Sequence, residues 1–361
     1  MTDSVSLPTG LDRLKTTARL AGRLLTGRPV IFNLNVYTTR LCNQQCPMCN
    51  AELDVNGGPS LTLEDYKGYL NRLKHFAIPS VTFSGGEPTI APELPDIIAY
   101  SAKQFPFRMG IVSNFYGRND RFRNAMTAAL KHNVNIGCSF DGFGEVADKQ
   151  RGARNVSEIV TENLKWVTAK AKELNSKSPR VLNTVISDTN LHQVMDVLKF
   201  SQELGWQHRI SCVNSFYYYP WDPKAPTLTY NKQLFETLDK IVKEDHIRQN
   251  KGFIKGIAAY AQKKSPKFCP FITWPLKTAK VFMDHNGDIS LCDRHPIGNI
   301  KEKTFEEMIQ TPLYGKKQQD HKDCAGCWLP CFVEPITYLR PFSMRKVTKL
   351  FDQERERWNA A

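Results

Sequence analysis

Cys42-Asn43-Gln44-Gln45-Cys46-Pro47-Met48-Cys49 puts three thiols on one short stretch, spaced by three and then two residues. At the cysteine frequency of this chain such a triplet arises by chance in roughly one sequence in a hundred. Three thiolates so spaced can hold three corners of a cubane iron-sulfur cluster and leave the fourth iron open to a small molecule. Structural zinc wants four protein ligands, and no fourth Cys or His lies nearby, the closest histidine being His75.

Around this loop the pattern alternates between short β-rich runs and longer runs of helical period, the signature of successive β/α units. Six strands are expected: 31–37, 80–83, 109–113, 134–140, 181–186 and 209–213. Helices follow at about 62–75, 92–104, 119–132, 156–175, 190–204 and 230–249, punctuated by turn and cap residues such as Gly85-Gly86, Asn119-Asp120 and Asn190. The fold class is therefore α/β: a partial (β/α)6 TIM-like barrel with a small C-terminal cysteine-rich domain. Functional residues of such barrels lie on loops at the C-terminal ends of the strands. The cysteine loop follows the first strand and Ser84-Gly85-Gly86-Glu87-Pro88 the second, so both fall at one mouth.

Cys42-x3-Cys46-x2-Cys49 after a first strand, joined to Ser84-Gly85-Gly86-Glu87-Pro88 after a second, resembles the radical S-adenosylmethionine (SAM) superfamily, over residues 30–250. The resemblance implies a [4Fe-4S] cluster whose open iron is chelated by the amino and carboxylate groups of SAM. Glu87 and loop carbonyls would accept from the ammonium, with the glycines allowing close approach. Softer matches carry over Ser113 and Asn114 after the third strand, and Ser139 and Asp141 after the fourth, to the ribose and methionine portions of SAM. Arg151 is carried over to the SAM carboxylate. Met48 departs from the aromatic residue usual before the third cysteine, and its thioether can fill the same apolar gap. The implied chemistry is reductive cleavage of SAM to a 5′-deoxyadenosyl radical that abstracts hydrogen from an unactivated carbon. A one-electron donor such as flavodoxin or ferredoxin is implied as partner.

The chain has ten cysteines. Cys138 and Cys212 sit in apolar strand-like runs and read as small buried hydrophobes. Cys269, Cys292, Cys324, Cys327 and Cys331 fall within 251–335, where the β/α rhythm stops. This set resembles the SPASM or twitch extensions that hold auxiliary iron-sulfur clusters. Full SPASM domains carry about seven cysteines for two clusters. Five imply one auxiliary [4Fe-4S] cluster on Cys269, Cys292 and two of the last three. A four-thiolate zinc site is the alternative for this region. A hairpin is expected at 281–291 around Asn286-Gly287-Asp288. Asp293 stands where some peptide-modifying relatives keep an acid-base residue, and a solvated hairpin-end carboxylate is the alternative reading.

The 361 residues carry 49 Lys and Arg against 36 Asp and Glu, a formal charge of +13, with 24% charged and 41% hydrophobic residues. That excludes a mainly disordered chain, and no apolar run approaches the roughly 18 to 20 residues that cross a bilayer. Without a signal-peptide pattern the expected compartment is the cytoplasm, where clustered thiols bind metal more often than they pair. Residues 1–29 hold a basic amphipathic stretch. Leu11, Leu14, Ala18, Ala21 and Leu25 form one stripe, with Arg13, Lys15, Arg19, Arg23 and Arg28 around it. Two readings stay open: peripheral contact with an anionic membrane, presenting the barrel mouth to a lipid, or packing on its own domain. Residues 336–361 form a basic, mixed-charge tail. No nucleic-acid-binding signature accompanies the charge. Phe216-Tyr217-Tyr218-Tyr219-Pro220-Trp221 is a candidate roof for a substrate cavity.

About 30 residues precede the first strand, whereas peptide-maturing relatives often carry a leader-recognition domain there. The expected substrate is therefore a small molecule, lipid or cofactor precursor. A peptide maturase is the alternative enzyme, and a zinc-stabilised basic binding protein the alternative outside enzymes.

Overall fold

Six strands run parallel: β1 (Asn33–Tyr37), β2 (Ser80–Ser84), β3 (Arg108–Ser113), β4 (Asn135–Ser139), β5 (Arg180–Ile186) and β6 (Gln207–Cys212). The computed structural model describes residues 9–49, 58–214, 226–247, 249–273, 278–292, 296–337 and 341–360. Helices α2 (Leu63–Leu73), α3 (Leu94–Gln104), α4 (Asp120–Lys131), α5 (Gly144–Arg151), α6 (Val156–Glu173), α7 (Val194–Glu203) and α8 (Lys232–Lys243) connect or follow these strands, after an N-terminal α1 (Gly10–Leu25). Thr62, Asn119 and Asn231 start α2, α4 and α8 by accepting, through their side chains, from the third amide of the helix.

Alternation along the strands sets two faces. Leu34 and Val36, Val81 and Phe83, Met109 and Ile111, and Ile136 and Cys138 are buried in the main hydrophobic cluster, packed with residues of the helices. The opposite face mixes amides and hydroxyls with Val112, Val181 and Val185. There Asn33 Nδ2 donates to Ser80 Oγ at 3.0 Å and Thr82 Oγ1 at 3.3 Å, and Asn35 Nδ2 donates to Asn33 Oδ1 at 2.7 Å.

The cysteine-rich region does not build a sheet of its own. Strand β7 (Lys280–Met283) pairs in parallel with β1, and β8 (Asp288–Ser290) and β9 (Pro296–Asn299) continue antiparallel. The expected hairpin thus extends the barrel sheet, whose order is β6-β5-β4-β3-β2-β1-β7-β8-β9. Helices α9 (Lys251–Ala261), α10 (Phe305–Met308), α11 (Pro312–Asp323), α12 (Pro330–Thr337) and α13 (Pro341–Ala360) complete the described elements. A second hydrophobic cluster joins Ile210 and Cys212 of β6 to Leu238 of α8, Ile257 of α9, Trp328 and Phe351 of α13. Gly256 is where α9 meets Trp328, since a Cβ there would lie 1.9 Å from the indole.

Helix α1 docks by its basic side. Arg13 Nε donates to Pro106 O, Arg23 Nε donates to Pro29 O, and the Arg23 guanidinium stacks 4.3 Å over Phe76. Leu20 is its one buried residue, while Leu11, Leu14 and Leu25 are exposed. Its contacts precede β1, β2 and β3, at the strand N-termini. This corrects the expectation that the helix presents the barrel mouth to a lipid: it sits at the opposite end from the cysteine loop. No described helix is long and apolar enough to cross a membrane.

His208, buried on β6, has Nδ1 3.1 Å from Ser201 Oγ, which in turn lies 3.1 Å from His246 Nε2. Burial and the neighbouring His246 push the His208 pKa down to about 3. The unfolded chain takes up this proton near pH 6.5 and the folded chain does not. Stability from this group is therefore full above that pH and falls as the pH drops towards 3, by up to about 1.4 kcal/mol per unit. Urea unfolding at pH 7 and pH 5 should show this loss, and His208→Gln should flatten it. An equal pH slope in the variant would remove His208 as the cause.

Candidate active site

The loop leaving β1 is zipped to the loop leaving β2. Thr38 N donates to Ser84 O at 3.0 Å, Gly86 N to Thr39 O at 2.8 Å and Glu87 N to Leu41 O at 2.7 Å. The two glycines are required by this contact. A Cβ on Gly85, whose φ is +136°, would lie 2.3 Å from Thr39 O, and one on Gly86 would lie 2.1 Å from Leu41 O. Gly152, with φ +59°, ends α5 in the left-handed conformation against the same loop, its Cβ position 2.1 Å from Gln45 O.

Glu87 is turned inward. Its buried carboxylate accepts from Thr89 N and Oγ1, Ser113 Oγ at 2.8 Å and Asn114 N at 2.7 Å. Burial still pushes its pKa above the usual carboxylate range. Its observed role is to lock the β2 loop to the end of β3, and Ser113 is spent on that lock. Pro88, also buried, caps the loop by accepting at its carbonyl from Ala91 N. Asn114 faces the cysteine loop: Nδ2 lies 2.8 Å from Asn43 Oδ1 and 3.8 Å from Cys42 Sγ.

On the other side of the loop, Asp141 and Arg151 form a buried pair, with Nη2 to Oδ2 at 2.7 Å. Asp141 Oδ1 accepts from Val185 N at 2.8 Å. Burial pushes the Asp141 carboxyl up, against the pull of Arg151. The Arg151 contact is ionic rather than a well-aligned hydrogen bond, which leaves Nε and Nη2 as buried donors with no hydrogen-bond partner. The Arg151 guanidinium also lies near enough to Cys46 to pull its thiol down against burial. Ser139 is half-buried at the end of β4, level with Asn183 of β5.

Cys42, Cys46 and Cys49 lie close enough for Cys46 and Cys49 both to raise Cys42, and burial pushes the Cys42 thiol up to about 12. Burial likewise raises Cys46, opposed chiefly by Arg151. Buried thiols of this kind are neutral alone and become thiolates on a cationic metal, releasing protons. Among the described residues no three His, Cys, Asp or Glu side chains converge on one ion. A cubane does not ask for that convergence, because each iron takes its own thiolate.

The later cysteines divide by exposure. Cys269, Cys292, Cys324 and Cys327 are half-buried, and Cys331 in the first turn of α12 is exposed. Cys324 lies near enough to raise Cys269, and Gly326 N donates to Cys324 Sγ at 3.3 Å. Asp293 and the aromatic run 216–221 lie outside the described residues.

Three features had no sequence signal. Gln44 is buried beside Cys46, its Oε1 3.8 Å from that sulfur. Arg40, next to the cysteine triplet, bonds through Nε to Asp284 at 2.7 Å, at the end of β7. Asp284 is buried and also pairs with His285. Cys212, read as inert, is fully buried yet close enough to Cys327 to feel its charge.

Residues 36–201 match the Radical SAM superfamily, and residues 276–328 match SPASM, an iron-sulfur cluster-binding domain. This is a radical SAM protein with a SPASM domain. The radical SAM protein is 30% identical over 210 residues to the PqqA peptide cyclase of Bradyrhizobium diazoefficiens, covering 58% of this chain and 51% of that one. It is 31% identical over 165 residues to the Fe-coproporphyrin III synthase of Methanosarcina barkeri, covering 45% and 39%. The chain thus spans about half or less of the length of these curated relatives. In fold it is similar to Streptococcus suis SuiB bound to the precursor peptide SuiA, with TM-score 0.61, 15% identity and coverage of 89% and 78%. It is also similar to anSMEcpe with bound AdoMet, with TM-score 0.58, 16% identity and coverage of 79% and 82%.

Proposed function

We propose that this chain is a radical SAM enzyme that modifies a peptide. The observation that carries the chemistry is the cysteine loop seated between Asn114 and the buried Arg151, which pairs with Asp141 and whose Nε and Nη2 have no hydrogen-bond partner. A relative named PqqA peptide cyclase, and a fold neighbour, SuiB, bound to the precursor peptide SuiA, favour a peptide over the expected lipid or cofactor precursor.

In this reading Cys42, Cys46 and Cys49 hold a [4Fe-4S] cluster, and four of the five later cysteines hold an auxiliary one. When bound, the first cluster and SAM together supply reductive cleavage of SAM and hydrogen abstraction from carbon. The chain's own residues bind and orient. Arg151 donates to a carboxylate, which its pairing with Asp141 keeps it aimed to do. With Glu87 saturated, the backbone carbonyls of the Gly85-Gly86 loop are the acceptors for an ammonium. Asn114 and Ser139 offer hydrogen bonds at the ends of β3 and β4. The barrel wall excludes water from the reacting centre. A flavodoxin- or ferredoxin-type donor provides the electron.

Anaerobic reconstitution tests the proposal. About eight irons with sulfide per chain, and release of methionine and 5′-deoxyadenosine from SAM under reductant, are expected. Deuterium transfer from a labelled peptide into 5′-deoxyadenosine would identify the substrate. Zinc in place of iron, or no SAM cleavage with or without cell extract, ends it.

A further inference from the structure

Full barrels fill their interior with layers of Val, Ile and Leu. The interior strand face here mixes Val112, Val181 and Val185 with Asn33, Asn35, Thr82 and Asn183, and is interrupted by Gly110 and Gly137. Contacts fix these residues on one face: a Cβ on Gly110 would touch Thr82 Oγ1 at 3.5 Å, and one on Gly137 would meet Asn183 Nδ2 at 2.8 Å. The glycines keep the chamber wide, and the amides line it with donors.

The charge in this chamber is positive. Arg108 opens β3 on the interior face, at the N-terminal end of the strand away from the cysteine loop, and keeps part of its surface in solvent, while Met109 beside it is buried. Among the described residues Arg108 has no acidic partner. Arg209 of β6, in register with Asn183, pairs with Glu334 of α12. Helix α12 reaches the other edge of the gap through Phe332, which packs on Phe282 of β7 at 6.2 Å. Lys280, first residue of β7, lies over the same two rings. Among the described residues β1 to β6 carry no Asp or Glu on this face, and Asp288 of β8 stands where the face continues beyond Phe282. Burial and the positive charge of Arg209 both lower the Arg108 pKa. Strands β3 and β6 are three apart in the sheet, and its curl lets the charge of Arg209 act on Arg108 across the interior.

We infer that the barrel interior binds an oxyanion group of the substrate, a carboxylate or a phosphate, with Arg108 as its principal ligand and Arg209 beside it. Arginine's planar fork matches both groups. A purely hydrocarbon substrate would leave the lining amides and Arg108 desolvated without partners, which disfavours a lipid chain at this position. The inference rests on the proposed function in taking the interior as the substrate chamber, and it specifies what that substrate carries.

The test is calorimetric titration of the reconstituted, SAM-loaded full chain with three probes: N-acetyl-Asp-Asp-amide, pyrophosphate, and N-acetyl-Asn-Asn-amide as the neutral isostere of the first. At least one anion should bind saturably, about tenfold or more tighter than the neutral dipeptide, and weaken as salt is added. Arg108→Gln should loosen it about tenfold, and Arg108→Lys, which keeps the charge but loses the fork, should fall between wild type and Arg108→Gln. A preference for the acidic dipeptide names the group as carboxylate, and a preference for pyrophosphate names it as phosphate. The inference is overturned if neither anion binds, if the neutral dipeptide binds equally well, or if folded Arg108→Gln binds as tightly as wild type. Should Arg108→Gln not fold, the comparison of anion with neutral probe on the wild-type chain decides alone. Failure of the wild-type chain to cleave SAM sinks the proposed function; normal cleavage without anion preference sinks this inference alone.

Discussion

Cys46→Ala is expected to lower the iron content from about eight to about four per chain and to abolish SAM cleavage. The loss should be at least about three orders of magnitude in 5′-deoxyadenosine formation, or roughly 4 kcal/mol of barrier. Cys46 is the thiol whose charge the nearby Arg151 favours, so the change removes a ligand beside the guanidinium while the Asp141–Arg151 pair stays. Cys138→Ala is the matched control. Cys138 is wholly buried on the helix-facing side of β4, and its removal should leave both iron and cleavage in place. Iron analysis and product chromatography decide the matter, and a Cys46→Ala chain that retains full iron and cleavage would refute the ligand assignment.

Asp141→Asn is expected to destabilise the fold by about 3 to 5 kcal/mol, because it leaves the Arg151 charge buried without its carboxylate. The isosteric amide oxygen can still accept from Val185 N, so the loss isolates the charge pair rather than the strand contact. Asp141→Asn combined with Arg151→Met should recover much of the stability, since the stranded cation is gone, but not SAM binding. Denaturant midpoints for the three variants test this. A single variant as stable as wild type would show that water or a neighbouring group already compensates Arg151.

All six parallel strands were legible within about two residues, because each is a short apolar run bounded by turn signals and followed by a periodic helix. The cysteine triplet and the Gly85-Gly86 turn were legible for the same local reason. What escaped was non-local. Nothing in Lys280–Met283 announces that it pairs with β1 rather than only with its own hairpin partner, since register across so long a separation is set by tertiary packing. The short helix α5 was missed because Gly144–Arg151 lacks a clear apolar stripe, its buried positions including Gln150 and Arg151. Glu87 stands on the loop where the sequence placed it, and its hydrogen bonds to Thr89, Ser113 and Asn114, which hold the carboxylate against the end of β3, had no sequence signal.

The pairing of β7 with β1 also dictates when this protein can become itself. Arg40 and Asp284, which tie the two strands' ends together, are 244 residues apart in the chain. During synthesis β1 waits with one edge unpaired for tens of seconds, at roughly 5 to 20 residues per second. Such an edge invites pairing with another chain. The loop bearing Cys42, Cys46 and Cys49 lacks its Asp284 tether throughout that interval. Cluster delivery to the finished loop is therefore expected to be post-translational.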